Sequence, residues 1–134
     1  MATIETTYLG ELRTEATHVQ SCIKIITDAP VDNHGKGEAF SPTDLLSASL
    51  GSCMLTLMGI ASREHTINID GTSCSITKIM ASEPRRVSEI QVTFNFPKGD
   101  YTDKQKVILE RAALTCPVAK SLHPDLIQNI TFNF

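Results

Sequence analysis

Tryptophan is absent and aromatic residues make up only 5% of the 134 residues, so the core must be built mainly from Ile, Leu, Val and Met. A core of that kind often gains from a second subunit. Charge of neither sign is in large excess: 12 Lys and Arg stand against 15 Asp and Glu, a formal net charge of −3. That balance excludes the basic footprint of a nucleic-acid binder. The only paired basic site, in "PRR" at Pro84–Arg86, reads as a solvated turn. A long hydrophobic run is also missing. The uncharged stretch from Leu45 to Ala61 falls short of the roughly 20 apolar residues a membrane span needs, and Ser47, Ser49, Gly51, Ser52 and Thr56 interrupt it. It reads as a buried helix, with no membrane partner expected.

The first residues, "MATIETTYLGELR", lack the basic start and apolar centre of a signal peptide, so the expected location is the cytoplasm. In that compartment four cysteines are not a disulfide framework by default. The four histidines, His18, His34, His65 and His123, are scattered without ligand spacing, so no metal is expected. No repeat or low-complexity tract interrupts the chain, which reads as one domain over 1–134.

Alternation and β-branched content predict strands near Ile4–Leu9, Arg13–His18 and Cys22–Thr27. "DAPVDNHGKGEAF" is a loop, rich in turn formers. "SPTDLL" then reads as a helix start, with Ser41 as cap, Pro42 in the first helical position and Asp44 where the helix dipole favours an anion. This helix should run to about Arg63. Two long strands follow in "TINIDGTSCSITKIMA" and "RRVSEIQVTFNFP", joined at Ser82–Pro84, with Ile90, Val92, Phe94 and Phe96 on one face. A second helix begins after Thr102, with Val107, Leu109, Ala112, Ala113 and Cys116 available for packing, and Pro117 forces a break. "NITFNF" closes with a strand. Runs of strands punctuated by helices predict an α+β fold.

The cysteines divide into two kinds. Cys22 and Cys74 sit in predicted strands and read as inert core filler. Cys53 and Cys116 lie on or at the end of a helix, in "LGSCML" and "LTCPVA", 63 residues apart, which rules out a CxxC redox motif or zinc knuckle. Cys116 before Pro117 can cap a new helical segment, whose free N–H groups lower a thiol's pKa. Cys53, about three turns inside its helix, has no such help and would need a cation from elsewhere to become a nucleophile. The residues alone leave Cys53 either a core thiol or a reactive one.

"SPTDLLSASLGSCM", followed far downstream by "CPVAKSL", resembles the paired-cysteine signature of the OsmC/Ohr family, the osmotically induced and organic hydroperoxide resistance proteins. The resemblance covers nearly the whole chain. It implies an OsmC-like α+β fold of antiparallel sheets around a long central helix, an intertwined homodimer, and active sites at the interface. It further implies a thiol peroxidase that reduces small organic hydroperoxides without a bound cofactor and is recycled by an external dithiol, a lipoylated protein in some members. Carried over by position, Cys53 matches the peroxidatic cysteine, Cys116 the resolving one, and Arg13 the arginine that would favour the thiolate. The hydrocarbon of the peroxide would lie against Leu45, Leu46, Leu50, Met54 and Leu57.

One position departs from the family pattern. Its well-characterised peroxidases have a glutamate at the helix start that pairs with the arginine, and Thr43 stands there in this chain. Asp44 or Glu38 is then the expected substitute. The missing glutamate also opens a second possibility, a non-catalytic OsmC-like module binding a small apolar ligand at the dimer interface. A third is an acyl- or thioester-handling enzyme that uses Cys53.

Overall fold

The structure, a computed structural model, describes all residues from Met1 to Phe134. They form two compact units, Met1–Leu46 and Ser47–Phe134.

In the first unit, β1 (Ile4–Gly10), β2 (Arg13–His18) and β3 (Lys24–Asp28) make an antiparallel sheet in the order β1-β2-β3. The β2–β3 register sets Arg13 opposite Asp28 and Thr17 opposite Lys24. Strand β3 thus starts later than expected. Cys22 lies in the intervening turn, exposed and with a left-handed φ of 62°, and its N–H donates to the His18 carbonyl at 2.8 Å. The filler reading of Cys22 is therefore corrected: turn geometry turns this thiol outward. After β3 the chain folds back on itself, with Ala29 N–H donating to Leu12 O at 3.0 Å and Asp28 N–H to Phe40 O at 3.1 Å. Gly35 is required in this loop, because a Cβ there would collide with the Ala29 carbonyl group.

Helix α1 (Pro42–Glu64) starts as its sequence predicts. Ser41 and Asp44 close a reciprocal cap: Asp44 N–H donates to Ser41 Oγ at 3.1 Å and Ser41 N–H to Asp44 Oδ2 at 3.0 Å.

In the second unit, β4 (Ser73–Ala81) pairs antiparallel with β5 (Arg86–Asn95), and β6 (Ile127–Asn133) joins β5 in parallel. The second sheet is thus mixed, since the chain crosses back through α2 (Asp103–Leu114) and α3 (Pro117–Ser121) before β6. The segment Ile67–Thr72, expected to begin a strand, is a turn. Asn68 Oδ1 accepts the Asp70 N–H at 2.9 Å, and Thr72 N–H reaches Ile69 O at 3.0 Å. A register shift opposite Ile79 and Met80 lets Val87 share the buried face of Ile90, Val92, Phe94 and Phe96. Leu50, Met54 and Met58 of α1 and Leu109 and Ala113 of α2 complete this core. Each large side chain so buried stabilises the fold by about 1.5–3 kcal/mol. By length and composition α1 could cross a membrane, but its Leu50, Met54 and Met58 are wholly buried among these strands, as in the core helix of a soluble domain.

Helix α2 is fixed at its start by a capping box. Thr102 Oγ1 accepts the Gln105 N–H at 3.1 Å, and Gln105 Oε1 accepts the Thr102 N–H at 3.0 Å. Its buried stripe is narrower than its composition suggests. Leu109, Ala113 and Cys116 face inward, Ala112 is half-buried, and Val107 is exposed, because it lies outside the three-to-four-residue spacing of the inward set.

Candidate active site

Cys53 is held by α1, whose opposite side is pinned to the sheet at Gly51. A Cβ at Gly51 would stand 2.6 Å from Ile76 Cδ1 and 3.1 Å from Cys74 Sγ, so only glycine allows this approach without displacing a neighbour. Cys53 itself is half-buried and packs against the core cluster. The apolar wall expected along α1 is only partly available. Leu50 and Met54 are wholly buried in the core and out of reach of a ligand, Leu45 and Leu57 are half-buried, and Leu46 is exposed. Helical geometry is the reason, since one side of an amphipathic helix cannot serve both core and pocket.

Cys116 arrives from the other direction. Helix α2 ends at Leu114, Pro117 starts α3, and Cys116, which follows Thr115 between the helices, caps α3 with extended backbone. Its Sγ accepts the Ala119 N–H at 3.3 Å, as expected of a capping thiol. The expected consequence does not follow. Cys116 is wholly buried, and burial pushes its pKa up, outweighing the Ala119 and Val118 N–H groups that pull it down. Hydrogen bonding and charge interaction with Cys53 push it up further. Cys53 packs against the core cluster that contains Cys116, and both thiols are free. Cys74 is raised by burial alone.

Such a pair can do redox work. A half-buried sulfur can be reached by a reactant, and a fully buried one beside it meets the first sulfur in preference to solvent. Clefts of about 400 Å³ along Thr56–Arg63 and about 440 Å³ between Glu83–Ser88 and His123–Leu126 carry neither cysteine.

Arg13 belongs to the N-terminal unit, at the start of β2. Its Nε donates to Asp28 Oδ1 at 2.7 Å and its Nη2 to Asp28 Oδ2 at 2.8 Å. Glu38 is a distant second partner, 3.9 Å away on a side chain that is 67% exposed. Asp44 was the other expected substitute, but its carboxylate caps α1. Asp28 is thus the residue the sequence reading missed. It is 1% exposed, and the Arg13 guanidinium holds its carboxyl below the usual carboxylate range against the opposing effect of burial. Assigning Asp28 to the loop hid the pair. The hairpin register alone, which sets Thr14 opposite Thr27, would have extended to Arg13 and Asp28.

Residues 35–129 match the family described as OsmC-like protein. A solved structure from Psychrobacter arcticus 273-4, provisionally named an osmotic stress induced and detoxification response protein, is 56% identical over 99% of this chain and 96% of its own, with a TM-score of 0.95. An organic hydroperoxide resistance protein OsmC of Legionella pneumophila superposes with a TM-score of 0.77 at 12% identity, over 100% of this chain and 98% of its own. One from Elizabethkingia anophelis gives 0.76 at 15% identity, over 99% and 96%. At these identities the last two bear on the fold alone. No match is found among the curated proteins.

Proposed function

Because this chain belongs to the OsmC-like protein family, we propose that it is a thiol peroxidase acting on small organic hydroperoxides. The reading is carried by the packing of Cys53, half-buried on α1, against the core cluster that contains Cys116, wholly buried at the start of α3. Several structural relatives are named for organic hydroperoxide resistance, which supports the same chemistry.

The thiolate of Cys53 attacks the outer oxygen of the peroxide. The O–O bond breaks, the organic fragment leaves as an alkoxide that takes a proton from water, and Cys53 carries the hydroxyl as sulfenic acid, two electrons poorer. The Cys116 thiol then displaces that hydroxyl as water and forms a Cys53–Cys116 disulfide. An external dithiol, free or lipoyl-bound, reduces the disulfide by exchange and leaves oxidised itself. Arg13 serves as the permanent cation that favours thiolate over thiol and donates to the peroxide oxygen.

The protein works as one OsmC-like domain, a reading supported by the solved relative that is 56% identical over 99% of this chain. It works as a homodimer in the cytoplasm, where its four free cysteines stay reduced. The N-terminal sheet supports the dimer. By register Ile4, Tyr8 and Ile25 share one face, and they are 58%, 63% and 47% exposed. The opposite face carries Glu5, Arg13, Glu15, Lys24 and Asp28. An uncharged sheet face of that kind calls for cover, which a second copy provides. The apolar-ligand module drew its weight from Thr43 in the glutamate's place. Asp28 supplies Arg13 with a carboxylate, so that argument loses its ground.

The test is consumption of cumene hydroperoxide with a dithiol reductant, wild type against Cys53→Ser and Arg13→Ala. Cys53→Ser should abolish turnover and Arg13→Ala should cut it by orders of magnitude. Unchanged consumption in Cys53→Ser ends the proposal.

A further inference from the structure

We infer that Asp28 is the positioning residue for Arg13: it fixes the guanidinium in one orientation, with the Nη1 edge presented for work, and ties that orientation to the loop running to Phe40. The inference rests on the thiol-peroxidase reading and adds a residue to it.

The geometry of the pair is specific. Asp28 engages Nε and Nη2 through its two oxygens, at 2.7 and 2.8 Å. Two parallel bonds between a planar fork and a planar carboxylate leave the guanidinium neither rotation nor tilt, which a single-point lysine contact would not achieve. Both N–H groups of Nη1 then have no acceptor in this chain. An arginine whose whole fork was taken up structurally would offer nothing to a reactant, and an unpaired one would sample many rotamers. This one is held by one edge and open along the other.

Asp28 is itself immobilised. It ends β3 directly opposite Arg13, and its side chain is wholly shielded from solvent. Its Oδ2 also accepts the Glu38 N–H at 3.2 Å, and its own N–H donates to Phe40 O at 3.1 Å. The carboxylate therefore joins the first residue of β2 to the loop that leads into α1. Glu38 contributes charge at 3.9 Å but no fixed geometry.

A charge effect and a positioning effect predict opposite signs. If Asp28 acted only as a nearby negative charge, Asp28→Asn would strengthen the positive field and lower the Cys53 thiolate pKa. If it holds the guanidinium in place, the same isosteric change lets Arg13 wander, and the thiolate pKa rises. The experiment follows Cys53 by the pH dependence of its alkylation and by thiolate absorbance, together with single-turnover oxidation by cumene hydroperoxide. The proteins are the wild type, Asp28→Asn, Arg13→Ala and the double variant. Circular dichroism confirms that each is folded.

The expected result is an upward pKa shift and a rate loss of roughly 100-fold in Asp28→Asn, the scale of a misplaced catalytic group. No further loss is expected when Asp28→Asn is added to Arg13→Ala. A downward or absent pKa shift, or an equal additional loss in the Arg13→Ala background, overturns the inference. If the wild type oxidises no peroxide, the peroxidase reading fails, and the alkylation profile alone decides for or against Asp28. If the wild type turns over and Asp28→Asn matches it, the peroxidase stands and the inference falls.

Discussion

Cys53 packs against the core cluster that contains Cys116, and the two differ in access: the first is half-buried on a long helix, and the second is wholly buried, with its sulfur accepting the Ala119 N–H at 3.3 Å. The asymmetry assigns an order to the chemistry. On the proposed reading the more accessible sulfur is oxidised first, and the buried one, whose pKa burial raises, reacts second.

Treating the reduced protein with one equivalent of cumene hydroperoxide should therefore lower its mass by two hydrogens, with peptide mapping locating a Cys53–Cys116 bridge. Cys116→Ser should instead gain one oxygen, held on Cys53 as sulfenic acid that a dimedone-type reagent captures. Serine is a suitable replacement here because Cys116 is an N-cap, and a serine hydroxyl caps α3 at least as well as the thiol. Loss of the bridge then reflects chemistry, and an unchanged thermal midpoint checks this. A bridge to Cys22 or Cys74 would refute the assignment of Cys116.

Stability should fall at both ends of the pH scale for separate reasons. The Asp28 carboxyl has a lower pKa folded than unfolded, so its contribution is complete above the unfolded value of about 4 and is lost as pH falls through the lower folded value. The Cys116 thiol has a higher pKa folded than unfolded. Its contribution is complete below about 8.5 and is lost as pH rises through the folded value. Urea midpoints should show the acid loss reduced in Asp28→Asn and the alkaline loss reduced in Cys116→Ser. Equal pH profiles in wild type and variant would contradict the corresponding origin.

Gly51→Val should cost about 1–3 kcal/mol of unfolding free energy, since even a single Cβ there would stand 2.6 Å from Ile76 Cδ1. Shifting α1 off β4 also moves Cys53, so bridge formation should slow in the same variant. Gly59 is the control. It lies in the same helix with open space around its Cβ position, and Gly59→Ala should be neutral or stabilising by up to about 1 kcal/mol. Equal effects at both glycines would mean that helix propensity, not close approach, sets the result.

What was legible in the sequence was local. Ser41, Pro42 and Asp44 announce the start of α1 because capping needs only residues three apart. Thr102 announces α2 in the same way, and the structure adds Gln105 as its reciprocal partner. The pairing of Cys53 with Cys116 is implied only by the family resemblance, since no local rule joins residues so far apart. Asp28 was missed although its signal was nearly local. Ending β3 one residue early moved it from a strand opposite Arg13 into a loop. The division of α1 between core and surface was also out of reach, because which of Leu46, Leu50 and Met54 is covered depends on the sheet it meets. The direction of the Cys116 shift needed two opposing effects to be weighed, and burial, the larger, belongs to the tertiary fold.

The proposed dimer makes the last prediction. Ile4, Tyr8 and Ile25 lie on one face of the N-terminal sheet and are too exposed to contribute to the core of a lone chain. If a second copy covers them, light scattering of the wild type should give twice the 14.6 kDa chain mass. A charge on that face must then be desolvated or must break the contact. Tyr8→Lys and Ile25→Asp should each shift the protein toward the 14.6 kDa species. Glu5→Lys, on the opposite face of β1, adds a similar charge change and should leave the mass unchanged. Monomeric wild type at micromolar concentration would refute the dimer, and dissociation by Glu5→Lys alone would move the interface to the charged face.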